Sequence, residues 1–430
     1  MRFLQLFSRI RFGSLERNDI VILYSADYWI RRLILNGIKS TTLALYPECI
    51  YLTPAIFFRI FLRLKHINIS STQSKNRIKH LGRQLYAQYI LACIDEVGAK
   101  VVLTHVDNSS FFQYLSRLDE KRTYFAIQNG TRTLFCVRDS LPKPPHPFAR
   151  ISMTNFFCFG QRDVDLFSRH GHAIEHYFPV GSLIGGYFQS VVASKASAPK
   201  FDLCLISQWH EHFFGKIVDD GFDEEISRRI NAGISTMNLF LSRFVDETGL
   251  KLLICPRDPD RAELAFFKSA YGDRATIAKP DRENFSTYRA IKQSRLVVAL
   301  NSTTLAEVFA WGQKVLWCNI PNDEHYEMLE AGISYFHGND YSAFKQRVLV
   351  ILEMPQAEYA RETQQAARYI NNFDPAHPPQ EIIRSAVVKA LGVADADERD
   401  PHDNKRHAGK LKGGNRLAEQ QVRQQQNQHE

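Results

Sequence analysis

Cysteine is scarce and never closely spaced in this chain: seven residues stand at 49, 93, 136, 158, 204, 255 and 318, with no CxxC pair. That spacing argues against a structural zinc site. An odd, dispersed set inside apolar runs reads as reduced, buried thiols of a cytoplasmic protein. No apolar run reaches the ~18–20 residues that cross a bilayer. Residues 1–12 mix arginines with Phe and Leu but have neither a long apolar stretch nor a small-residue cleavage site, so no signal peptide is expected. No phosphate-binding P-loop motif is present, which argues against ATP hydrolysis. No Gly-x-Ser-x-Gly frame is present, which argues against a nucleophile elbow. Arginines do not form a stripe with interleaved aromatics, so nucleic acid is not an expected partner.

What remains is a chain of 430 residues, 44% hydrophobic, with a formal charge of +8. The length suits two or three domains, and the mild basic excess favours anionic ligands or a phospholipid surface. Apolar runs alternate with helical patterns throughout. Strands are expected at 19–25, 40–45, 100–104, 122–127 and 156–160, with a long helix over 76–97 and shorter ones at 111–118 and 161–170. Residues 189–200, rich in Ser, Ala and Lys without apolar period, read as an inter-domain linker. The rhythm then restarts, with strands at 201–207, 250–255 and 275–278 and helices at 223–248, 261–271 and 284–293. The resulting division is 1–188, a linker at 189–200, 201–354, C-terminal helices over 355–392 packing back toward the first domain, and a disordered tail at 393–430, where almost nothing can be buried. At 52–65, Arg59 and Arg63 share one face of an aromatic helix. Two readings stand there: an interfacial helix beside anionic lipid, or a core helix with snorkelling arginines.

The densest chemistry lies at 295–318. A β-branched run ends in Asn301-Ser302-Thr303-Thr304, a helical pattern carries Glu307 and stops at Gly312, and a second apolar run follows. This is a βαβ unit with hydroxyls at its helix N-terminus, where unpaired amides and the dipole favour phosphate. Ser302, Thr303 and Thr304 are placed to meet a phosphate, and Glu307 to accept from ribose hydroxyls. The alternative for the same residues is an ordinary N-cap with Glu307 closing a capping box. Other loops at expected strand ends hold His105, Asp107, Gln128, Asn129, Arg132, Gln208, Arg257 and Asp27. Open α/β sheets bind ligands at such an edge. His210-Glu211-His212 does not read as a metal site, since neighbours in extended chain point opposite ways and no third ligand has suitable spacing.

Asn301-Ser302-Thr303-Thr304-Leu305-Ala306-Glu307, followed by Gly312-Gln313-Lys314, resembles the donor-nucleotide segment of GT-B glycosyltransferases. The run Leu252-Leu253-Ile254-Cys255-Pro256-Arg257-Asp258 is similar to a strand-and-loop that ends there in His-Pro, with Cys255 at the histidine position. Ala126-Ile127-Gln128-Asn129-Gly130-Thr131-Arg132, with Phe159-Gly160 and Pro179-Val180-Gly181-Ser182, resembles bacterial surface-polysaccharide biosynthesis proteins. The resemblance implies an α/β protein of two Rossmann-like domains facing across a cleft. It implies metal-independent transfer of a sugar from a nucleotide sugar, without a cofactor, to a capsule, O-antigen or lipid-linked glycan acceptor, in the cytoplasm or at the inner face of its membrane. Ser302, Thr303, Thr304, Glu307, Arg257, Lys279 and Gln208 then face the donor. Gln128, Asn129 and Arg132 face the acceptor, and Asp107, His105 or Asp27 supplies the base. A sugar-nucleotide epimerase, a polyol-phosphate transferase and a non-catalytic nucleotide-sugar-binding protein remain alternatives on the same architecture.

Overall fold

The computed structural model describes residues 10–23, 28–43, 50–67, 77–139, 141, 150–193, 198–209, 224–257, 261–281, 283–328 and 332–392. In chain order the first half holds strands β1 (Ile10–Arg11), β2 (Ile20–Leu23), β3 (Thr41–Leu43), β4 (Ile50–Tyr51), β5 (Val101–Thr104), β6 (Thr123–Ile127), β7 (Ser152–Cys158) and β8 (Ala173–Pro179). The second holds β9 (Phe201–Ile206), β10 (Leu252–Cys255), β11 (Ala275–Ile277), β12 (Ser294–Ala299), β13 (Val315–Asn319) and β14 (Tyr335–His337). Two six-stranded parallel sheets result, in the orders β3-β2-β5-β6-β7-β8 and β11-β10-β9-β12-β13-β14, while β1 pairs with β4. Ile20 to Leu23 and Leu296 to Ala299 are buried throughout, as strands covered on both faces by helices must be. The second sheet has the doubly wound order, whose crevice falls between β9 and β12, where successive connections leave in opposite directions. Both halves belong to one compact unit ending at Val387.

The helices are α1 (Pro54–Arg63), α2 (Arg77–Val97), α3 (Ser110–Leu118), α4 (Gln161–Arg169), α5 (Leu183–Tyr187), α6 (Glu224–Thr248), α7 (Arg261–Tyr271), α8 (Ser286–Ile291), α9 (Thr303–Phe309), α10 (Tyr341–Glu353), α11 (Gln356–Ile370) and α12 (Pro379–Ala390). Helix α1 starts where Thr53 accepts from the Ile56 amide at 3.1 Å and Pro54 needs no amide partner. Helix α3 is capped in the same way by Ser109.

Three features differ from the sequence expectations. Residues 188–192 continue α5 as a further helical turn, so the stretch expected as linker starts inside structure. Its anchor is Phe188, buried and stacked on Tyr288 and Trp311 with ring centroids 5.0 and 5.5 Å away. One aromatic anchor leaves no period to read. In α1 the two arginines turn toward α2 and bind carboxylates: Arg63 reaches Asp95 at 2.7 Å and Arg59 reaches Glu96 at 3.4 Å. Arg63 is largely covered by this pairing, while Arg59 stays partly exposed. The expected helix at 284–293 is shorter, because Phe285 adopts a left-handed backbone (φ 55°) just before α8.

After α11 the chain touches the first half. The Asn372 amide donates to Phe159 O at 2.7 Å, the Ser182 amide to Asn371 Oδ1 at 2.9 Å, and the Tyr369 hydroxyl to Asp165 at 2.9 Å. The expected tail at 393–430 lies outside the described residues.

Candidate active site

A cavity of about 490 Å³ opens at the carboxyl ends of β9, β10 and β12. Ser207 and Gln208 enter it from β9, Pro256 and Arg257 from β10, and Asn301 to Thr304 from β12. Asp281, Phe285 and Tyr288 close one side, and Trp29 and Ile184 approach from the first half. This is the switch point of the second sheet, where the loops after two strands diverge and leave a crevice.

Local hydrogen bonds hold this mouth in shape. The Gln208 side chain acts as a surrogate backbone: its amide group donates to Asn301 O, and the Asn301 amide donates back to Gln208 Oε1 at 2.6 Å. The loops after β9 and β12 are thereby sewn across the switch point. Asn301 Oδ1 is buried with no hydrogen-bond partner among the described residues. Glu263 is buried beneath the β10 loop, where its carboxylate accepts from the Ser207 hydroxyl and from the Arg257 amide at 3.1 Å. The Arg257 side chain is exposed, and it lines the cavity.

Of the expected donor contacts, Ser302, Thr303, Thr304, Arg257 and Gln208 line the cavity. Thr303 is partly engaged already, since its hydroxyl accepts from the Thr131 amide of the first half at 3.0 Å. Lys279 is exposed and stands two residues before Asp281, outside the cavity wall. Glu307 sits one layer behind the wall. It is 3% exposed and accepts hydrogen bonds from Ser182 and Tyr288, so neither the ribose contact nor a capping box forms there. Ser302 is indeed the N-cap of α9, but its side chain makes no capping bond. Burial pushes the Glu307 carboxyl up to about 7, against the opposing pull of the Ser182 and Tyr288 hydrogen bonds. Burial and the adjacent Glu307 push the Tyr288 hydroxyl well above its ordinary range, so it stays a donor.

Of the expected acceptor and base residues, His105, Asp107, Gln128 and Arg132 are buried. Arg132 forks onto Asp107, its Nε donating at 2.9 Å, and the Asn129 amide donates to the same carboxylate at 3.1 Å. Asp107 is 1% exposed and Arg132 6%, which makes this a buried ion pair with its oxygens already occupied. Gln128 donates to Gly130 O and accepts from the Phe159 amide, both at 2.8 Å, and so fixes the loop 128–132 from within. Asn129 keeps an exposed side chain, and its Oδ1 accepts from Arg132 at 2.8 Å. His105 is buried, and burial holds it down to about 4, with Asp107 opposing and Arg132 adding to the effect. It is therefore neutral at pH 7 and weakly basic. Asp27 and His210-Glu211-His212 lie outside the described residues; among those described no cluster suited to a metal is found.

Sequence reasoning missed Trp29, Phe285, Tyr288 and Asp281. Phe285 holds a left-handed backbone, a strained conformation for a non-glycine residue, in the cavity wall, yet nothing in the string around it announces this. Trp29 and Phe285 pack with ring centroids 5.3 Å apart and planes inclined by 49°, which presents an apolar aromatic side to any ligand entering.

No protein-family model matches the chain, and no curated protein matches it in sequence. Solved structures do match in shape. A Listeria monocytogenes protein assigned as a UDP-N-acetylglucosamine 2-epimerase superposes with a TM-score of 0.53 at 13% identity, covering 89% of this chain and 98% of that one. The UDP-bound MnaA protein of S. aureus gives 0.51 at 13% identity, over 87% and 97%. A glycosyltransferase from Rickettsia africae gives 0.48 at 12% identity, over 88% and 99%. At these identities the likeness establishes architecture: the chain has the GT-B fold, two Rossmann-like domains with their strand ends facing.

Proposed function

We propose that the protein is a glycosyltransferase that holds a nucleotide sugar in the cavity at the β9–β12 switch point and passes the sugar to a surface-polysaccharide or lipid-linked glycan acceptor. The supporting observation is convergence. Arg257, the hydroxyls of Ser302 and Thr304, and the aromatic side made by Trp29 and Phe285 meet in one cavity at the edge where this sheet order leaves a crevice. In this reading Arg257 and the amides after β12 stabilise the leaving phosphate without a metal. The aromatic side takes the nucleoside. In this reading Asp107, paired to Arg132, does not serve as the acceptor base. A cytoplasmic site of action follows from the supply of nucleotide sugars there.

A second reading, a sugar-nucleotide epimerase, is favoured by the two structures with TM-scores above 0.5, one assigned to that activity and one holding UDP. Melting-temperature shifts with UDP, GDP, CMP, CDP and TDP identify the nucleotide, because a ligand of the folded state alone raises the midpoint. Incubation with the matching nucleotide sugar then separates the readings. Nucleotide release that requires a glycan acceptor supports transfer, an epimerised sugar formed without acceptor supports the alternative, and no shift with any nucleotide overturns both.

A further inference from the structure

Helix α1 sinks Ile56 into the first core with Ile60 packed against it, yet leaves most of its apolar side chains outside. Its charged face, Arg59 and Arg63, is packed against α2 and paired with Glu96 and Asp95. Its outward face carries Phe57, Phe58, Phe61, Leu62 and Leu64 at 67, 63, 69, 51 and 41% exposure. The spacings of three, four and seven residues put these side chains on one broad stripe. Near the helix start, β1 pairs with β4, and Phe12, just after β1, is 83% exposed. So dense an apolar patch is rare on a free surface. The sequence here is one-sided in charge: besides the paired Arg59 and Arg63, the segment from Cys49 to Ile94 has five lysines and arginines and no aspartate or glutamate. Lys65 is exposed and lies on the same stripe, between Leu62 and Leu64 in angle.

We propose that α1 is a membrane-docking helix whose aromatic stripe enters the headgroup–acyl boundary of an anionic phospholipid bilayer. An apolar partner protein would be served by the stripe alone. An anionic lipid surface uses both features, since aromatic burial drives insertion and the acid-free, cation-rich segment adds attraction to negative headgroups. The internal pairing of Arg59 and Arg63 also explains why the outward face keeps only Lys65 as a cation beside its aromatic side chains: the other two are neutralised by the protein and need not be dragged into lipid. Docking here holds the first half of the protein at the surface. No residue of α1 lines the cavity, and the proposal is tested without any nucleotide.

The test is co-sedimentation of the full chain with vesicles of phosphatidylcholine, alone or mixed with phosphatidylglycerol. The expected result is binding to the mixed vesicles that weakens as salt is raised. A Phe57→Ser/Phe58→Ser/Phe61→Ser variant should lose roughly tenfold or more of that binding. Its far-ultraviolet dichroism and melting temperature should match the parent, because the altered side chains are exposed. Lys65→Glu should weaken binding to mixed vesicles and leave any binding to neutral ones unchanged. Absence of binding by the parent, undiminished binding by the triple variant, or equal binding to neutral and anionic vesicles overturns the proposal. So does a concentration-dependent dimer in sedimentation velocity that the triple variant abolishes, which assigns the stripe to a second copy of the chain.

Discussion

The hydroxyl of Tyr288 donates to the carboxylate of Glu307 at 2.6 Å, and Ser182 from the first half donates to the other oxygen of the same group. One buried carboxyl thus joins a wall of the cavity to the seam between the two domains. Gly185 lies so close that an added Cβ would stand 2.9 Å from Glu307 Cβ, so nothing larger fits over this contact.

The ionisation of Glu307 therefore sets a pH dependence for the seam. Its carboxyl is raised from an ordinary 4.5 to about 7 by burial. A carboxyl raised in the folded state contributes its stability below the unfolded value and loses it as pH rises through the folded value. The loss amounts to about 3 kcal/mol between about pH 4.5 and 8. Glu307→Gln keeps the shape and removes the titration. Urea unfolding across that range should show the parent falling in stability toward alkaline pH and the variant running flatter. Identical slopes would show that the group does not titrate as described.

Asp107 and Arg132 lead to a second expectation. Both are buried, and each holds the other's charge. Asp107→Ala leaves a guanidinium uncompensated and should lower stability by about 3–5 kcal/mol. Asp107→Ala with Arg132→Met should recover much of that, since the second change removes the stranded charge. A catalytic base behaves otherwise: its removal abolishes turnover with little change in the unfolding midpoint. Denaturant midpoints of the two variants tell these apart.

These two groups also show where the sequence was legible. The βαβ unit from β12 to β13 was readable because an apolar run, a helical period and Gly312 (φ 78°) fall in the right order. The positions of Ser302, Thr304 and Arg257 at strand ends followed directly. The direction of a side chain within such a loop did not. Glu307 lies one turn inside α9, but α5 packs on that side and takes the carboxylate for itself. Asp107 and Arg132 are 25 residues apart, and nothing local marks them as partners. Pairing over such separations is decided by strand order, and strand order is a property of the whole chain.

Gly160 offers a third test. A Cβ there would run into the backbone carbonyls of Tyr369 and Ile370, where α11 ends against the first half. Backbone cannot swing aside as a side chain can, so Gly160→Ala should destabilise by at least about 1–3 kcal/mol. Gly82, within α2, meets nothing within 4 Å of its would-be Cβ. Gly82→Ala should instead stabilise by about 0.5–1 kcal/mol through helix propensity. Opposite shifts in melting temperature are the expected outcome, and parallel ones would refute the close approach at Gly160.

The last prediction separates the two cations first assigned to the donor. Arg257 lines the cavity, its backbone fixed by the buried Glu263, whereas Lys279 is exposed and off the wall. A charge-assisted hydrogen bond to phosphate is worth about 1.5–3 kcal/mol, which is on the order of ten- to hundredfold in affinity. Arg257→Ala should therefore raise the Kd for the best-bound nucleoside diphosphate by that factor in calorimetry, with little change for the matching nucleoside. Lys279→Ala should leave both unchanged. If the two variants lose affinity equally, the cations act only through the long-range field, and the phosphate does not sit beside the β10 loop. If Arg257→Ala alone weakens the diphosphate, the cavity at the β9–β12 switch point is its binding place.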